Sequence, residues 1–350
     1  MPVMRHTLLN YRPPSLISLP KGTGDGMANY PRTAIITGIS GQDGLISADT
    51  LISNGWNVVG ITRDLKSKRI SELRSLHDSI KFLQVDRSQR FYADVIETYK
   101  PDMFLHWGSP SSVKEPWADP TKTLTEMIIP SSEILQAIAE KADGKTALML
   151  ALSSEIFAKD GTGKSSTSDR KLESVYAVGK SSILDLANLY RDKFGMQIFA
   201  PILFPHVSPL QSNSFFTGKI MNAIIDIRSG IVGKIPIGDL SASRDWSWAP
   251  AVITYVIDEI EKGASDSRAI GSGTMATTSE VIEAFFTAAG ISNWQDYFLL
   301  DDQDFRKEGA LGNFALGDSN ETYISPKLND WSQEYVKSGL IGKFLNFSTK

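Results

Sequence analysis

Apolar and polar positions along this chain follow two alternating periods. From Thr33 onward, short and almost wholly apolar runs give way to segments whose apolar residues recur at helical spacing, and the pair repeats. "TAIIT" precedes a helix predicted from about Asp43 to Asn54; "NVVGIT" precedes the helical "SKRISELRSLH"; "IKFLQVD" precedes "QRFYADVIETYK". "DMFLHWG" is followed by a helix predicted around Ser131–Lys141. "TALMLALSS" leads into a long helix around Ser174–Phe194, with "QIFAPILF" behind it as one more strand. Strands separated by helices of this length predict βαβ units, and hence an α/β fold with a doubly wound parallel sheet. Runs that stay apolar at every position suit strands buried on both faces.

After about Pro205 the rhythm changes. Helices are predicted around Thr217–Ser229, Pro250–Lys262 and Thr278–Ala289, but longer loops rich in Arg, Trp and Asn separate them. The expected organisation is therefore a sheet domain over residues 31–205 and a smaller, loop-rich lobe over 206–350, partly interleaved with the sheet. Residues 1–30 lack periodicity and carry Pro and Gly breakers, which predicts an irregular N-terminal extension. Met27 lies just ahead of the first strand, so residues 1–26 are expected to be dispensable.

Composition narrows the chemistry. The 350 residues carry a net charge of -4, which gives no basic excess for nucleic acid or an anionic membrane. Cysteine is absent, which removes disulfides, thiolate metal sites and cysteine nucleophiles together. The four histidines, His6, His77, His106 and His206, are widely spaced, and no metal site is expected. No apolar run approaches the ~20 residues that span a bilayer. A cytoplasmic location is the expectation.

Three motifs carry chemistry. Gly38, Gly41 and Gly44 in "TGISGQDG" follow a strand and open a helix, the context in which a dinucleotide pyrophosphate sits at a helix N-terminus. Their GxxGxxG spacing points to a Rossmann-type domain of the short-chain dehydrogenase/reductase kind. Tyr176 and Lys180 in "YAVGK" share one helical face, and a lysine cation nearby is expected to lower the tyrosine pKa and make it a general base. A surface helix pair is the plain alternative. "TALMLALSSE" delivers Ser153, Ser154 and Glu155 to the C-terminal edge of the sheet, where α/β sites lie.

With these motifs in order, the sequence resembles an extended short-chain dehydrogenase/reductase, and within that group the GDP-mannose 4,6-dehydratase family. "TGISGQDG", "VVGITRD", "PDMFLHWGSPSSV", "LSSEIF", "SVYAVGK", "ILFPHVSP", "FFTGKI" and "IGDLSASRDW" recur in the family's order from about Thr33 to Asp318. The resemblance implies a catalytic set of Ser153, Glu155, Tyr176 and Lys180. It implies cofactor contacts from Gly38, Ser40, Gly41, Gln42, Asp43, Gly44, Arg63, Asp86, Trp107, Gly108, Ser109, Ser111 and His206, in addition to Tyr176 and Lys180. Ser154, Lys219, Arg244 and Arg306 would meet a nucleotide-sugar substrate. The implied reaction is oxidation at C4, loss of water across C5 and C6, and return of the hydride to C6. NADP is the implied cofactor, through Arg63, with NAD as its alternative. A homodimer or homotetramer is the implied assembly.

Departures from the family pattern cluster around the ribose and the substrate. Asp64 stands where a second arginine usually follows Arg63, Leu210 and Gln211 replace an arginine pair, and Lys122 replaces a tyrosine. Pro205 replaces an asparagine, and Gly218 replaces an arginine. Two other readings stay open on the residues: a 4-epimerase or 4-ketoreductase, which needs Tyr176 and Lys180 but not Glu155, and a non-catalytic nucleotide-binding protein.

Overall fold

The computed structural model describes residues 31–86, 90–110, 118–142, 144–157, 170–211, 215–231, 233–300 and 327–340. The expected extension at 1–30 lies outside them. The chain begins with β1 (Thr33–Thr37), α1 (Gln42–Ser53), β2 (Asn57–Thr62), α2 (Lys68–Leu76), β3 (Lys81–Gln84), α3 (Phe91–Tyr99) and β4 (Met103–His106). Then come α4 (Pro120–Lys141), β5 (Ala147–Leu150), β6 (Leu152–Ser153), α5 (Val175–Phe194) and β7 (Ile198–Phe199). Among the described residues the main sheet has six parallel strands in the order β3-β2-β1-β4-β5-β7. Order reverses between β1 and β4, which is where a doubly wound sheet opens its ligand crevice.

Alternation along the strands sends Ile35, Val59, Ile61, Phe104 and Leu148 to one face, against α3, α4 and α5. Ile36, Val58, Met103, Leu105 and Met149 point to the other face, against α1, α2 and α7 (Ala249–Glu261). Both faces are covered, as runs apolar at every position require.

Two predicted elements are corrected. The helix placed at Ser131–Lys141 begins eleven residues earlier, at Pro120, and runs through Pro130. Proline in a helix interior removes one backbone bond, which favours a break there. Here the packing of Met127 and Ile134 on either side of Pro130 carries the helix through. The strands read as single runs in "TALMLALSS" and "QIFAPILF" each divide. β5 and β7 belong to the main sheet, whereas β6 and β8 (Ile202–Leu203) pair in a second, small sheet with β13 (Ala269–Ile270). Pro201 has no amide to give to the main ladder, and its carbonyl instead accepts Leu152 N–H at 2.9 Å. Ala151, at the other break, is left with a carbonyl outside any strand pair.

The second lobe contains β9 (His206–Val207), α6 (Phe216–Arg228), β10 (Ile235–Ile237), β11 (Ser243–Asp245) and β12 (Ser247–Trp248). β14 (Met275–Thr277), α8 (Thr278–Ala288), β15 (Phe298–Leu300) and α9 (Leu328–Leu340) complete it. Its core is aromatic: Trp248 stacks on Trp331 at 6.4 Å between ring centroids, and Phe285 and Tyr335 pack beside them at 4.7 Å. Burying each such side chain contributes on the order of 1.5–3 kcal/mol, which anchors α9 to α8 and α6. No helix among the described residues is long and apolar enough to cross a membrane.

Candidate active site

At the sheet's C-terminal edge, β1 turns into α1 through a loop that only glycine can form. Gly38 has φ +68°, and a Cβ there would lie 2.8 Å from the Gly108 amide nitrogen after β4. A Cβ on Gly44 would run into the Gly38 carbonyl. Gly41 N–H donates to that carbonyl at 2.8 Å and Gly41 itself is the N-cap, with no capping side chain over the first amides of α1. Bare backbone at a helix N-terminus is a cradle for a diphosphate. The loop therefore fits a dinucleotide cofactor on its geometry, as its sequence predicts.

The predicted catalytic side chains come together over this edge. α5 starts at Ser174, whose Oγ accepts Ala177 N–H at 3.0 Å, so its first turns bring Tyr176 and Lys180 down onto the ends of β5 and β6. Lys180 Nζ donates to the free Ala151 carbonyl at 2.8 Å and lies 5.6 Å from the centroid of the Tyr176 ring. After β6 a single helical turn carries Ser154 and Glu155, with Glu155 N–H on Ser153 Oγ at 3.3 Å. Ser153 hydrogen-bonds Tyr176, and the charges of Glu155 and Asp43 act on the same phenol.

The expected sign of the tyrosine shift is corrected. Burial raises Tyr176 far above its ordinary value; the Ser153 hydrogen bond opposes this, while Glu155 and Asp43 add to it. Burial also lowers Lys180, to about 8, against the pull of Asp43 upward. Desolvation penalises the charged form of both groups, and the helix pair that brings them together is also what dries them.

Asp43, in the first turn of α1, meets His206 of β9. Its Oδ1 lies 3.1 Å from His206 Nε2, and His206 Nδ1 donates to the Phe204 carbonyl at 2.8 Å. Burial raises Asp43, but the charge and hydrogen bond of His206, with Gln42 and Lys180, bring it below its usual value. His206 moves the other way: burial lowers it, and Asp43 and the Phe204 carbonyl raise it by more. Each partner thus favours the charged form of the other. Gln42 locks the pair in place, donating to Asp43 Oδ1 at 2.9 Å and to the His206 carbonyl at 3.2 Å while accepting Ser208 Oγ–H at 2.8 Å. Gln211 extends the chain, donating to the His206 carbonyl at 3.3 Å and accepting Thr217 Oγ1–H at 2.7 Å.

Other predicted residues are distributed around this centre. Trp107 donates from Nε1 to buried Ser47 at 2.9 Å, Gly108 backs the glycine loop, and Ser109 Oγ donates to the Pro110 carbonyl at 3.3 Å. Arg63 and Asp86 are exposed just past β2 and β3. The Arg63 guanidinium lies 3.9 Å from Glu126 of α4. On the lobe, Lys219 is exposed on α6, and Arg244 of β11 lies 5.8 Å from the centroid of Trp246. Ser111 and Arg306 lie outside the described residues.

Arg69 is a residue the sequence reading missed. From α2 it donates Nη1 to the Ser40 carbonyl at 2.7 Å and Nη2 to the Leu210 carbonyl at 2.8 Å, clipping the glycine loop to the segment after β9. No motif marks it. The only signal is an arginine on the inner face of a short helix that follows β2.

Comparison with known proteins agrees with this architecture. A family model described as GDP-mannose 4,6 dehydratase matches residues 35–310. GDP-mannose 4,6 dehydratase 2 of Arabidopsis thaliana is 29% identical over 305 residues, covering 83% of this chain and 80% of its own. Among solved structures, a Bacillus anthracis dTDP-glucose 4,6-dehydratase in complex with NAD superposes with TM-score 0.73 at 15% identity, covering 91% of this chain and 98% of its own. RMD from Pseudomonas aeruginosa, complexed with NADPH, gives TM-score 0.68 at 17% identity, over 88% and 98% of the two chains. These two likenesses establish the fold.

Proposed function

Because this chain belongs to the GDP-mannose 4,6-dehydratase family, we propose that it is a nucleotide-sugar 4,6-dehydratase, acting on GDP-mannose or a closely related NDP-hexose. The observation that carries the reading is the placement of Glu155 beside Ser153 and Tyr176. An oxidoreductase that only moves a hydride needs the tyrosine and lysine; a second acid/base is needed to remove a carbon-bound proton and expel water.

The chain's residues divide the work accordingly. A bound nicotinamide cofactor supplies the acceptor and later the donor of the hydride. The glycine loop from Gly38 to Gly44 would hold its diphosphate. Tyr176 must first ionise against its burial, which the Lys180 cation and the positive charge of an oxidised nicotinamide would favour. It then receives the proton of the sugar 4-hydroxyl, and the Ser153 hydroxyl stabilises the charge on the phenol oxygen. Lys180 supplies the compensating cation. Oxidation at C4 acidifies the C5 proton, Glu155 removes it, and the same carboxyl protonates the departing 6-hydroxyl. Asp43 and His206 fix the end of the glycine loop against the lobe that would receive the sugar nucleotide.

One feature supports NADP over NAD. Arg63 is exposed just past β2, at the position a 2′-phosphate would approach. The exposed Asp64 carboxylate beside it accepts Lys66 N–H at 2.8 Å and weighs against that choice. Exposed Ile129 on α4 and Val178 and Leu189 on α5, neighbouring helices, support self-association through this layer, as a homodimer or homotetramer.

The test is Glu155→Gln with GDP-mannose. A dehydratase stalls after oxidation, so the variant accumulates reduced cofactor at 340 nm, forms little 4-keto-6-deoxy product and loses about 10²–10⁴-fold in turnover. Nearly unchanged turnover would leave an epimerase or ketoreductase instead. Mass spectrometry of nucleotide released from the denatured wild-type protein identifies the cofactor.

A further inference from the structure

His106 is the last residue of β4, at the point where the strand order reverses. Alternation puts its side chain on the face of Phe104, beneath α5, and puts Thr37 of β1 beside it on the same face. Thr37 Oγ1 accepts Gly108 N–H at 3.1 Å and lies 2.7 Å from His106 Nδ1. Thr37 therefore holds the Nδ1 side of the ring in place, since its hydroxyl can donate to a bare Nδ1 or accept from a protonated one. The imidazole is neutral, because burial first and the charge of Lys180 second hold it down at about 3.

The His106 Nε2 is buried and finds no hydrogen-bond partner among the described residues. A buried polar nitrogen is rarely left unmet, and where side chains do not meet it an internal water does. The charge that acts on His106 is that of Lys180. Lys180 has three protons and gives one to the Ala151 carbonyl, while Ala151 N–H leans back to the His106 carbonyl at 3.4 Å. The ammonium thus sits at the end of β4, close to the His106 backbone.

We infer that His106 Nε2 holds a buried water that also accepts a hydrogen bond from Lys180 Nζ, which makes His106 a positioning residue for the Tyr176–Lys180 couple. A neutral imidazole does this without adding charge: the water solvates the ammonium, so the cation persists in a dry site and stays directed at Tyr176. The inference rests on the catalytic roles proposed above. The other charged groups facing the couple are Asp43 from α1, paired with His206 of β9, and Glu155 from the turn after β6. A change at His106 leaves all three in place.

Removing the Nε2 nitrogen removes solvation from Lys180. Its pKa then falls further, and activity that needs the ammonium is lost at lower pH. In cofactor-loaded full-length protein, His106→Leu should move the alkaline limb of the kcat–pH profile toward acid by about one unit. His106→Gln, whose amide reaches the Nε2 position, should bring the limb back. A purely structural histidine would change thermal stability in both variants and leave the limb where it is; a His106→Leu profile superimposable on wild type overturns the inference. A second readout needs neither variant nor substrate. In ¹⁵N-histidine-labelled wild-type protein, His106 should stay neutral, without titration over about pH 5–9. Titration in that range overturns the inference even if the enzyme is a dehydratase. An expected spectrum from a protein with no dehydratase activity would instead count against the proposed function alone.

Discussion

The two ends of the site bury charge in opposite ways. At the glycine-loop end, Asp43 has a counter-ion in His206, a hydrogen bond from Gln42, and a chain of partners running through Ser208, Gln211 and Thr217 into α6. At the α5 end, Lys180 is more deeply buried than either member of that pair, and the hydrogen bond assigned to its ammonium goes to one backbone carbonyl. The first arrangement is saturated, so its groups keep their charges and their positions. The second is under-compensated, so Lys180 is brought to about 8 and Tyr176 is pushed up. Saturated networks build a floor; under-compensated groups are the ones whose protons can move.

The sharpest way to break this contrast is at Tyr176. Tyr176→Phe removes a hydroxyl that burial disfavours as phenolate and that is useful only if it takes a proton during turnover. Formation of the 4-keto product should fall about 10²–10⁴-fold. The melting temperature should hold or rise slightly. A variant that keeps a tenth of the activity, or that unfolds, would put Tyr176 in the floor rather than among the moving groups.

A smaller effect, read in stability rather than rate, tests the other end. Asp43 is lowered from 3.8 in the fold, so its stabilisation is present above that value and fades as pH falls through the lowered one. His206 is raised from 6.5, so its stabilisation is complete below 6.5 and fades as pH rises through the raised value. Both are present in full between 3.8 and 6.5. Asp43→Asn should therefore cost about 2 kcal/mol inside that window and less on its alkaline side, measured as unfolding free energy against pH. A loss of equal size at all pH values would mean that packing, not the ion pair, holds the loop.

The sequence exposed what is local and periodic. The βαβ order, the glycine loop and the Tyr176/Lys180 pair follow from residues a few positions apart, and Ser153 and Glu155 follow from the end of one apolar run. What it hid depends on contacts across the chain. His106 meets Thr37 over a separation of 69 residues, and Arg69 reaches Leu210 over 141. Neither pairing leaves a periodic trace. The sign of the Tyr176 shift was hidden for a related reason: the lysine that favours phenolate is visible four residues away, but the desolvation that outweighs it comes from α4, α5 and the sheet closing around both. Pro130 misled by rule, since a proline that would end an isolated helix is overridden by apolar neighbours on both of its sides.

Arg69 braces the glycine-loop end, and its removal should give the smallest of these effects. Its fork spans the Ser40 and Leu210 carbonyls, a bridge that a single ammonium cannot reproduce. If the glycine-loop end is a floor, cutting one strut should loosen it without exposing the α5 end. Arg69→Met should then lower the affinity for nicotinamide dinucleotide about tenfold, some 1.4 kcal/mol, read from nucleotide retained after gel filtration. Arg69→Lys should recover only part of it. The apparent pKa values of turnover at saturating cofactor should stay where they are, because Tyr176, Lys180 and Asp43 keep their partners. A shift in those values would show that the saturated network extends through Arg69 into the proton-moving groups, and that the two ends are one electrostatic unit.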